Sequence, residues 1–298
     1  MSACPSCGAD NPPQAVCCRH CGAGLGAGGP APAGGPASAT GRRRAWLAVL
    51  IAVAFLAAIA ALVAFVVLDR GSPPPTHAPL RWTTIGASVE GRPIAAASFG
   101  SGAGRRVLVI GGVHGGEDGA LAAAQLAGYL HAHPEETPAG ATIDIIRCLN
   151  PDAEAADTRG NAHGVDLNRN MPTADWRRRL SPMDQSRYKF HCNGGTSPGS
   201  EPEVKALLEQ LDQGYDAVLS LHSHGGFLDA NGPGGRALAR RISAVCGLKL
   251  DTVAYDASIT GSMGRYIPAE YGIPVVTVEL DSPRLTQRMI EALLVPAR

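Results

Sequence analysis

From Leu80 onward, the hydrophobic and polar positions alternate between two kinds of pattern. Short apolar runs bounded by Gly, Pro, Asn or Asp predict strands, and apolar residues that repeat every three or four positions predict helices. The predicted strands are 83–88, 94–99, 107–111, 142–149, 217–221 and 274–280. The predicted helices are 119–131, 201–213, 236–246 and 285–294. This alternation predicts an α/β fold, a mixed and mostly parallel sheet with helices on both faces.

A different apolar pattern runs from Ala45 to Leu68, without a single charged residue. At about 1.5 Å per residue, a helix of this length reaches roughly 36 Å, which is enough to span a bilayer. More than forty residues precede it, which argues against a cleaved signal peptide. We therefore predict one transmembrane helix over 45–68, with the lipid bilayer as its partner.

The charges beside this helix predict its orientation. Arg42, Arg43 and Arg44 stand on its N-terminal side, so the positive-inside rule places the N-terminus in the cytosol. Everything after residue 70 then lies outside the cytoplasm, on a single-pass protein of the cell membrane. Pro-rich residues 69–79 predict a stiff spacer, and the Gly-, Ala- and Pro-rich residues 25–44 predict a flexible linker. The globular domain is predicted over 80–298.

Cysteines concentrate in the first 24 residues, as two CxxC pairs that are each followed by Gly. Four thiolates on two tight turns form a closed tetrahedral site for a structural zinc ion, and we predict a short zinc ribbon over 1–24. No signal peptide precedes these residues, and a cytosolic location keeps thiols reduced. Cys17 leaves open which of two adjacent cysteines is a ligand. The predicted ligands are Cys4, Cys7, Cys18 and Cys21.

Composition adds two points. The formal net charge is +0, and we expect no nucleic-acid partner. Cys148, Cys192 and Cys246 form an odd-numbered set in the globular domain, and the sequence does not pair them. Neither point indicates what the ribbon binds, so its expected cytosolic partner stays unidentified.

Polar residues follow several of the predicted strands. His114 and Glu117 stand three residues apart in a Gly-rich turn after the 107–111 strand, and His222 ends the 217–221 strand. Two imidazoles and one carboxylate can hold a catalytic zinc ion and leave a fourth position open for water. Glu279 is a carboxylate within an apolar run, where burial raises its pKa and suits it to act as a base. Arg159 and Arg169 are cations for an oxyanion or a carboxylate.

Together these motifs resemble the zinc carboxypeptidases of the M14 family, and most of all the compact bacterial branch of murein peptide amidases. The resemblance covers roughly residues 80–298. Its motifs occur in the order typical of the family, which is far more specific than any one of them. They are Gly111-Gly-Val-His-Gly-Gly-Glu117, Asn150-Pro-Asp152, Arg159 with Gly164-Val-Asp-Leu-Asn-Arg-Asn170, Ser200-Glu-Pro-Glu203, Leu221-His-Ser223 and Thr277-Val-Glu-Leu280.

The resemblance implies a role for each matching position. His114, Glu117 and His222 would hold the catalytic zinc, and Glu279 would be the general base and then the acid. Arg159 would stabilise the oxyanion, and Asp166 would orient a zinc-binding histidine. Asn168 and Arg169 would bind the free carboxylate of the substrate, and Tyr255 is similar to the mobile tyrosine that closes over it.

The substrate is expected to be a peptide or muropeptide. In this family the loop before the base sets specificity, and here that loop is 259–266. Arg265 in this loop would favour a carboxylate-bearing substrate end, which suggests the γ-D-glutamyl–diaminopimelate bond of peptidoglycan stem peptides. Three alternatives stay open at this point: a general carboxypeptidase acting on L-peptides, a deacylase of N-acyl amino acids, and a non-catalytic binding protein tethered to the membrane.

Overall fold

The computed structural model of the chain describes residues 2–11, 18, 20–21, 78–180, 192–223, 225–251 and 259–298. The chain divides into two compact units, Met1–Thr76 and His77–Arg298. The predicted linker over 25–44 and the predicted transmembrane helix over 45–68 lie outside the described residues, as does nearly all of the 69–79 spacer. Within the described ranges, no helix is both long and apolar enough to cross a bilayer.

In the first unit, the two-residue strands β1 (Ser2–Ala3) and β2 (Asp10–Asn11) pair as an antiparallel hairpin. The hairpin turn is closed by the Cys4 backbone N–H, which donates to the Ala9 carbonyl oxygen at 2.9 Å. The sulfur atoms of four cysteines lie within 4.8 Å of one another, which is the clustering that a four-thiolate zinc site needs. They are Cys4, Cys7, Cys18 and Cys21.

The second unit is built on an eight-stranded sheet in the part of the chain that the structure describes. Its strands are β3 (Thr83–Ala87), β4 (Pro93–Phe99), β5 (Arg106–Ile110), β6 (Thr142–Ile146), β7 (Ala217–Ser223), β8 (Phe227–Asn231), β9 (Lys249–Leu250) and β10 (Val275–Leu280). Their order across the sheet is β3-β4-β6-β5-β7-β10-β8-β9. The central strands β6, β5, β7 and β10 are parallel, whereas β3, β4 and β8 pair with their inner neighbours in the antiparallel sense. The predicted mixed α/β sheet is confirmed.

Helices cover both faces of this sheet. They are α1 (Gly119–Ala132), α2 (Pro151–Ala156), α3 (Pro202–Leu211), α4 (Gly235–Cys246), α5 (Met263–Tyr271) and α6 (Gln287–Leu293), with 3-10 turns at Pro134–Glu136, Leu167–Arg169 and Val295–Ala297. Side chains alternate along β5: Val107 and Val109 join the core beneath α1, α4 and α6, and Leu108 and Ile110 join the core beneath α3 and α5. A central strand that is buried on both faces reads as a continuous apolar run, which explains the sequence of β5.

The helix predicted over 201–213 starts one residue later than expected. The helix α3 begins at Pro202 with Glu201 at its N-cap, and Ser200 does not cap it. Ser200 and Glu203 have the sequence spacing of a capping box, but no such box forms, because Glu203 is fully buried and accepts hydrogen bonds from Asn161 and from the Val89 backbone instead. Proline at the first helical position needs no intrahelical partner for its nitrogen, so it starts the helix without this box.

Other differences concern elements that the sequence pattern did not predict. The segment 259–266, predicted as a loop, includes the first turn of α5, which begins at Met263 with Ser262 as its N-cap. Pro268 lies inside this helix, and an internal proline normally argues against one. The short strand β8 was also missed. The strand β6 ends at Ile146, so the buried Cys148 lies just beyond it rather than within it.

Candidate active site

The carboxyl ends of β5, β7 and β10 meet at one edge of the sheet, because these strands are parallel neighbours. The turn after β5 carries His114 and Glu117, and its shape depends on the two glycines between them. Gly116 has a φ of 72°, and a Cβ atom on Gly115 would lie 2.0 Å from the Ala153 carbonyl oxygen. The His-Gly-Gly-Glu sequence therefore folds back tightly enough for both side chains to face the same site.

The carboxylate of Glu117 lies between two imidazole rings. Its Oε1 atom is 2.9 Å from His114 Nδ1, and its Oε2 atom is 2.8 Å from His222 Nδ1. One ligand atom from each of the three residues lies within 4.8 Å of the others. Two imidazole nitrogens and one carboxylate oxygen are the donors of a catalytic zinc site with an open fourth position. The structure thus brings together the three predicted ligands as a possible zinc site.

Electrostatics at this site keep the Glu117 carboxylate ionised. Burial by itself raises the pKa of Glu117, but the imidazoles of His114 and His222 outweigh it and hold that pKa well below its ordinary value. The carboxylate is therefore ionised, which is the form that binds a cation.

The Nε2 atoms of both histidines have partners of their own. His114 Nε2 lies 3.0 Å from Asp166 Oδ1, and His222 Nε2 lies 3.0 Å from Ser220 Oγ. These contacts leave the Nδ1 atoms directed at Glu117 and fix the orientation of both rings. Burial alone would raise the pKa of Asp166. The charges of Arg159 and His114 outweigh this effect and hold the pKa well below the usual range of an aspartate.

Glu279 lies on β10 beside this site. It is opposite His222 in the register of β10 with β7, and its strand neighbours Val278 and Leu280 are buried. Burial raises the pKa of Glu279 above its ordinary value, although the charge of His222 opposes this. A Cβ atom on Gly225 would lie 2.7 Å from the Glu279 Cβ atom, so the glycine leaves room for this side chain.

Arg159 is buried against two acidic residues of the site. Its Nε atom donates to Asp166 Oδ2 at 2.8 Å, and its Nη1 atom donates to Glu117 Oε1 at 3.4 Å. Its side chain is only 7% exposed, so the guanidinium is held in place rather than free to move in solvent. The predicted cation therefore lies directly beside the possible zinc site.

Asn168 and Arg169 occupy the 3-10 turn Leu167–Arg169, which Asp166 caps by accepting from the Asn168 backbone N–H at 2.9 Å. The side-chain oxygen of Asn168 accepts from the Met263 backbone N–H at 2.8 Å, which links this turn to the start of α5. Arg169 Nη1 donates to the Asn168 carbonyl oxygen at 2.7 Å.

Arg265 lies in the first turn of α5 and forms an ion pair with Asp175, in which the two side chains are 33% and 31% exposed. Asp175 also accepts from the Gly261 backbone N–H and from Thr173. The pair therefore ties the 259–265 segment to the segment that follows the Asn168 turn. Tyr255 lies outside the described residues, so its predicted role stays a prediction.

Sequence reasoning missed two partners of site residues, Ser220 beside His222 and Asp175 beside Arg265. It also missed the contact between Asn161 and Glu201. Ser220 stands two positions before His222, and strand periodicity places both on one face. No local pattern indicates the other two, because they join segments that are distant in sequence. Cys148, Cys192 and Cys246 form no disulfide, and burial raises the pKa of Cys148 to about 12 and of Cys192 to about 11, which makes both poor nucleophiles.

Comparison with known proteins adds family evidence to this geometry. Residues 78–238 match the model of the peptidase M14 family, described as zinc carboxypeptidase. The chain is 31% identical over 204 residues to murein peptide amidase A of Vibrio campbellii, covering 66% of this chain and 78% of that protein. It is 31% identical over 164 residues to murein peptide amidase A of Escherichia coli K12, covering 52% of this chain. The latter alignment spans 62% of the relative, which is less than two thirds of its length.

Solved structures share the fold. Murein-tripeptide amidase from Escherichia coli O157 superposes with a TM-score of 0.59 at 24% identity, over 77% of this chain and 95% of that one. Bovine thrombin-activatable fibrinolysis inhibitor superposes with a TM-score of 0.57 at 19% identity, over 72% of this chain and 87% of that one. The family match, the relatives and the His114–Glu117–His222 cluster agree. The chain belongs to the M14 family of zinc carboxypeptidases.

Proposed function

We propose that this protein is a membrane-anchored, zinc-dependent amidase that cleaves the γ-D-glutamyl–diaminopimelate bond of peptidoglycan stem peptides. The observation that carries the proposal is the 31% identity to two proteins named murein peptide amidase A. The possible zinc site and the neighbouring Glu279 give the chain the chemical groups that amide hydrolysis needs.

The residues around the site have distinct tasks in this proposal. Zinc held by His114, Glu117 and His222 would supply Lewis acidity to the scissile carbonyl and to the attacking water. Glu279 removes a proton from the attacking water and delivers it to the leaving amine, a task for which its raised pKa suits it. Arg159, held beside Glu117 by Asp166, stabilises the negative charge that develops on the carbonyl oxygen. Tyr255 is proposed to close over the bound substrate.

Substrate selection rests on the carboxylates of diaminopimelate. Asn168 and Arg169 lie on the 3-10 turn Leu167–Arg169, where Asn168 is partly exposed, and they are proposed to bind the α-carboxylate next to the scissile bond. Arg265 is proposed to contact the second carboxylate of diaminopimelate, because it lies two residues beyond Met263, whose backbone N–H is bonded to Asn168. Its partner Asp175 reduces the net positive charge at that position.

A direct test offers the purified, zinc-loaded full-length protein three substrates in parallel: muropeptides that contain diaminopimelate, ordinary L-peptides and N-acyl amino acids. Mass spectrometry of the products should show cleavage between D-glutamate and diaminopimelate. Cleavage confined to L-peptides would instead make the protein a general carboxypeptidase, and cleavage confined to N-acyl amino acids would make it a deacylase. A zinc-bound protein that cleaves none of the three would be a binding protein.

Membrane anchoring is a separate part of the proposal. It is supported by the uncharged run over 45–68 and by the arginines that precede it. A single cysteine introduced into the 71–79 spacer of a chain whose native cysteines are replaced by serine should react with an impermeant thiol reagent on intact cells. Reaction only after lysis would place the enzyme domain in the cytosol.

We also propose that the clustered thiols of the first unit bind a structural zinc ion. The supporting observation is the mutual approach of four sulfur atoms, from Cys4, Cys7, Cys18 and Cys21. Metal analysis of the purified protein should then give two zinc ions per chain, and one after Cys7→Ser. Two zinc ions per chain in that variant would show that these thiols are not zinc ligands.

A further inference from the structure

Two asparagines bracket the loop that carries most of the polar site residues. Asn161 stands before Asp166, Asn168 and Arg169, and Asn170 stands directly after them. Both asparagines are buried, and both are bonded to the same short segment at the start of α3. We call the loop over 159–170 the catalytic loop. The hydrogen bonds that anchor this loop to the start of α3 have no role in the catalytic steps proposed above.

The first anchor is the side-chain amide of Asn161. Its Nδ2 atom donates to Glu201 Oε2 at 2.8 Å and to Glu203 Oε2 at 3.0 Å. Its Oδ1 atom accepts from the backbone N–H groups of His163 and Val165, both at 3.1 Å. One side chain therefore closes the turn just before Asp166 and also fastens that turn to two buried carboxylates.

The second anchor is Asn170. Its Oδ1 atom accepts from the Glu201 backbone N–H at 3.1 Å, and its Nδ2 atom lies 3.2 Å from Ser200 Oγ. Ser200 Oγ in turn donates to Glu201 Oε1 at 2.5 Å. Glu201 thus holds both ends of the catalytic loop, one end through its carboxylate and the other through its backbone.

The pKa values of the two carboxylates at the anchor are shifted in opposite directions. Burial raises the pKa of Glu201, but hydrogen bonds from Ser200, Asn161 and His163 outweigh it and lower that pKa overall. Burial raises the pKa of Glu203. An ionised Glu201 forms the stronger hydrogen bond with Asn161, because bonds to a charged acceptor are roughly twice as strong as neutral ones.

We infer that Glu201 and Asn161 are positioning residues that hold the catalytic loop so that Asp166 orients His114 and Arg159. The inference rests on the proposed zinc site. It follows from the short path between the anchor and the metal ligand: Asn161 fixes the turn that ends at Val165, and the next residue, Asp166, contacts both His114 Nε2 and Arg159 Nε. A shift of this turn moves Asp166 away from the ring that it orients.

The test uses Glu201→Gln in the full-length protein. The carboxylate accepts from three side chains, and the amide is neutral and offers only one acceptor oxygen, so the hydrogen bonds with Asn161, His163 and Ser200 are weakened as a set. We expect the dissociation constant for zinc, measured by competition with a chelating dye, to rise about 10-fold. We also expect KM for the carboxylate-bearing substrate to rise several-fold, because Asn168 and Arg169 belong to the same loop.

A second variant covers the case in which Glu201→Gln does not fold. Asn161→Asp keeps the oxygen that accepts from Val165 but replaces the donor that faces Glu201 and Glu203, and it should weaken zinc binding in the same way. Tyr215→Phe is the matched control. It removes a buried hydrogen bond to Asp144 at the other edge of the sheet, and it should lower the melting temperature without changing zinc affinity or KM.

Two results would overturn the inference. One is a wild-type zinc affinity and KM in both Glu201→Gln and Asn161→Asp, with or without a lower melting temperature. The other is a loss of zinc affinity in Tyr215→Phe that matches the loss in these two variants, because general destabilisation would then explain it. If the wild-type chain itself binds no zinc at its two histidines, the proposed function fails, which is a different outcome.

Discussion

Glu279 lies directly opposite His222 in the parallel pairing of β10 with β7. The register places both side chains on the same face of the sheet, at the edge where the turn after β5 contributes His114 and Glu117. The proposed base and one proposed metal ligand are therefore positioned by adjacent central strands. Side chains on such strands are held more precisely than side chains on loops, and precise placement is what proton transfer requires.

Replacing Glu279 by glutamine should strongly slow turnover while leaving the metal in place. An amide has nearly the same shape as the carboxylate but cannot accept a proton, and general bases contribute about 10²–10⁴-fold to rate. We expect kcat to fall by that factor, measured on the diaminopimelate-containing muropeptide of the proposed function, with zinc content unchanged. Near-normal activity of this variant would show that another group removes the proton.

Asp166→Asn should lower the affinity for zinc, although Asp166 is not a proposed zinc ligand. Asp166 accepts from His114 and Arg159 and has a strongly lowered pKa, so the neutral amide loses two charge-assisted contacts. We expect zinc affinity to fall about 10- to 100-fold in a chelator competition. Glu154→Gln, which neutralises an exposed carboxylate on α2, is the control and should bind zinc like the wild type. Equal affinity in all three proteins would contradict an orienting role for Asp166.

The parts of the site that the sequence predicted are those that local patterns determine. The apolar run of β5 and the glycines after it predict a buried strand that ends in a tight turn, and His114 and Glu117 follow from that turn. Strand ends also predicted His222 and Glu279. Their convergence on one edge follows from the parallel order of the strands, which alternating helices and strands already imply.

The remaining parts depend on contacts between segments that are far apart in the chain. Ser200 and Glu203 have the spacing of a capping box. Glu203 instead accepts a hydrogen bond from Asn161, some forty residues earlier in the chain, and the helix starts at Pro202. The first turn of α5 lies in the segment that the family resemblance predicts as a loop, and the internal Pro268 obscures the helical pattern of its sequence. Such outcomes are set by tertiary packing, which overrides local propensity.

Asp175→Asn should increase the preference of the enzyme for substrates with an additional carboxylate. In the wild type, Asp175 compensates the charge of Arg265, and its pKa lies below the ordinary value because hydrogen bonds and the nearby guanidinium outweigh the effect of burial. The asparagine keeps one acceptor for the Gly261 backbone but removes the compensating charge. We expect the ratio of kcat/KM for diaminopimelate-containing peptides over otherwise identical lysine-containing peptides to rise about 3- to 10-fold. An unchanged ratio would place Arg265 outside the substrate site.

Asp152 links α2 to the turn between β3 and β4 and should make the stability of the domain pH-dependent. It is buried and accepts from Ser88 Oγ at 2.7 Å, from the Glu90 backbone N–H at 3.0 Å and from Arg92 Nη1 at 2.6 Å. Burial raises the pKa of Asp152, but these donors outweigh it and lower the pKa below its ordinary value. The folded state therefore favours the ionised form more than the unfolded chain does.

This direction fixes the sign of the pH effect. For a carboxyl whose pKa is lower in the folded state, the stabilisation is present above the unfolded pKa of about 4 and is lost as the pH falls through the folded pKa. Asp152→Asn removes the charge at every pH, and it should lower the free energy of unfolding at pH 7 by about 1–3 kcal/mol. Denaturant unfolding of both proteins between pH 7 and pH 3 should show this difference shrinking below about pH 4. Because all other titrating groups are shared, a difference that stays constant across the range would mean that the ionised form of Asp152 is not what the fold stabilises.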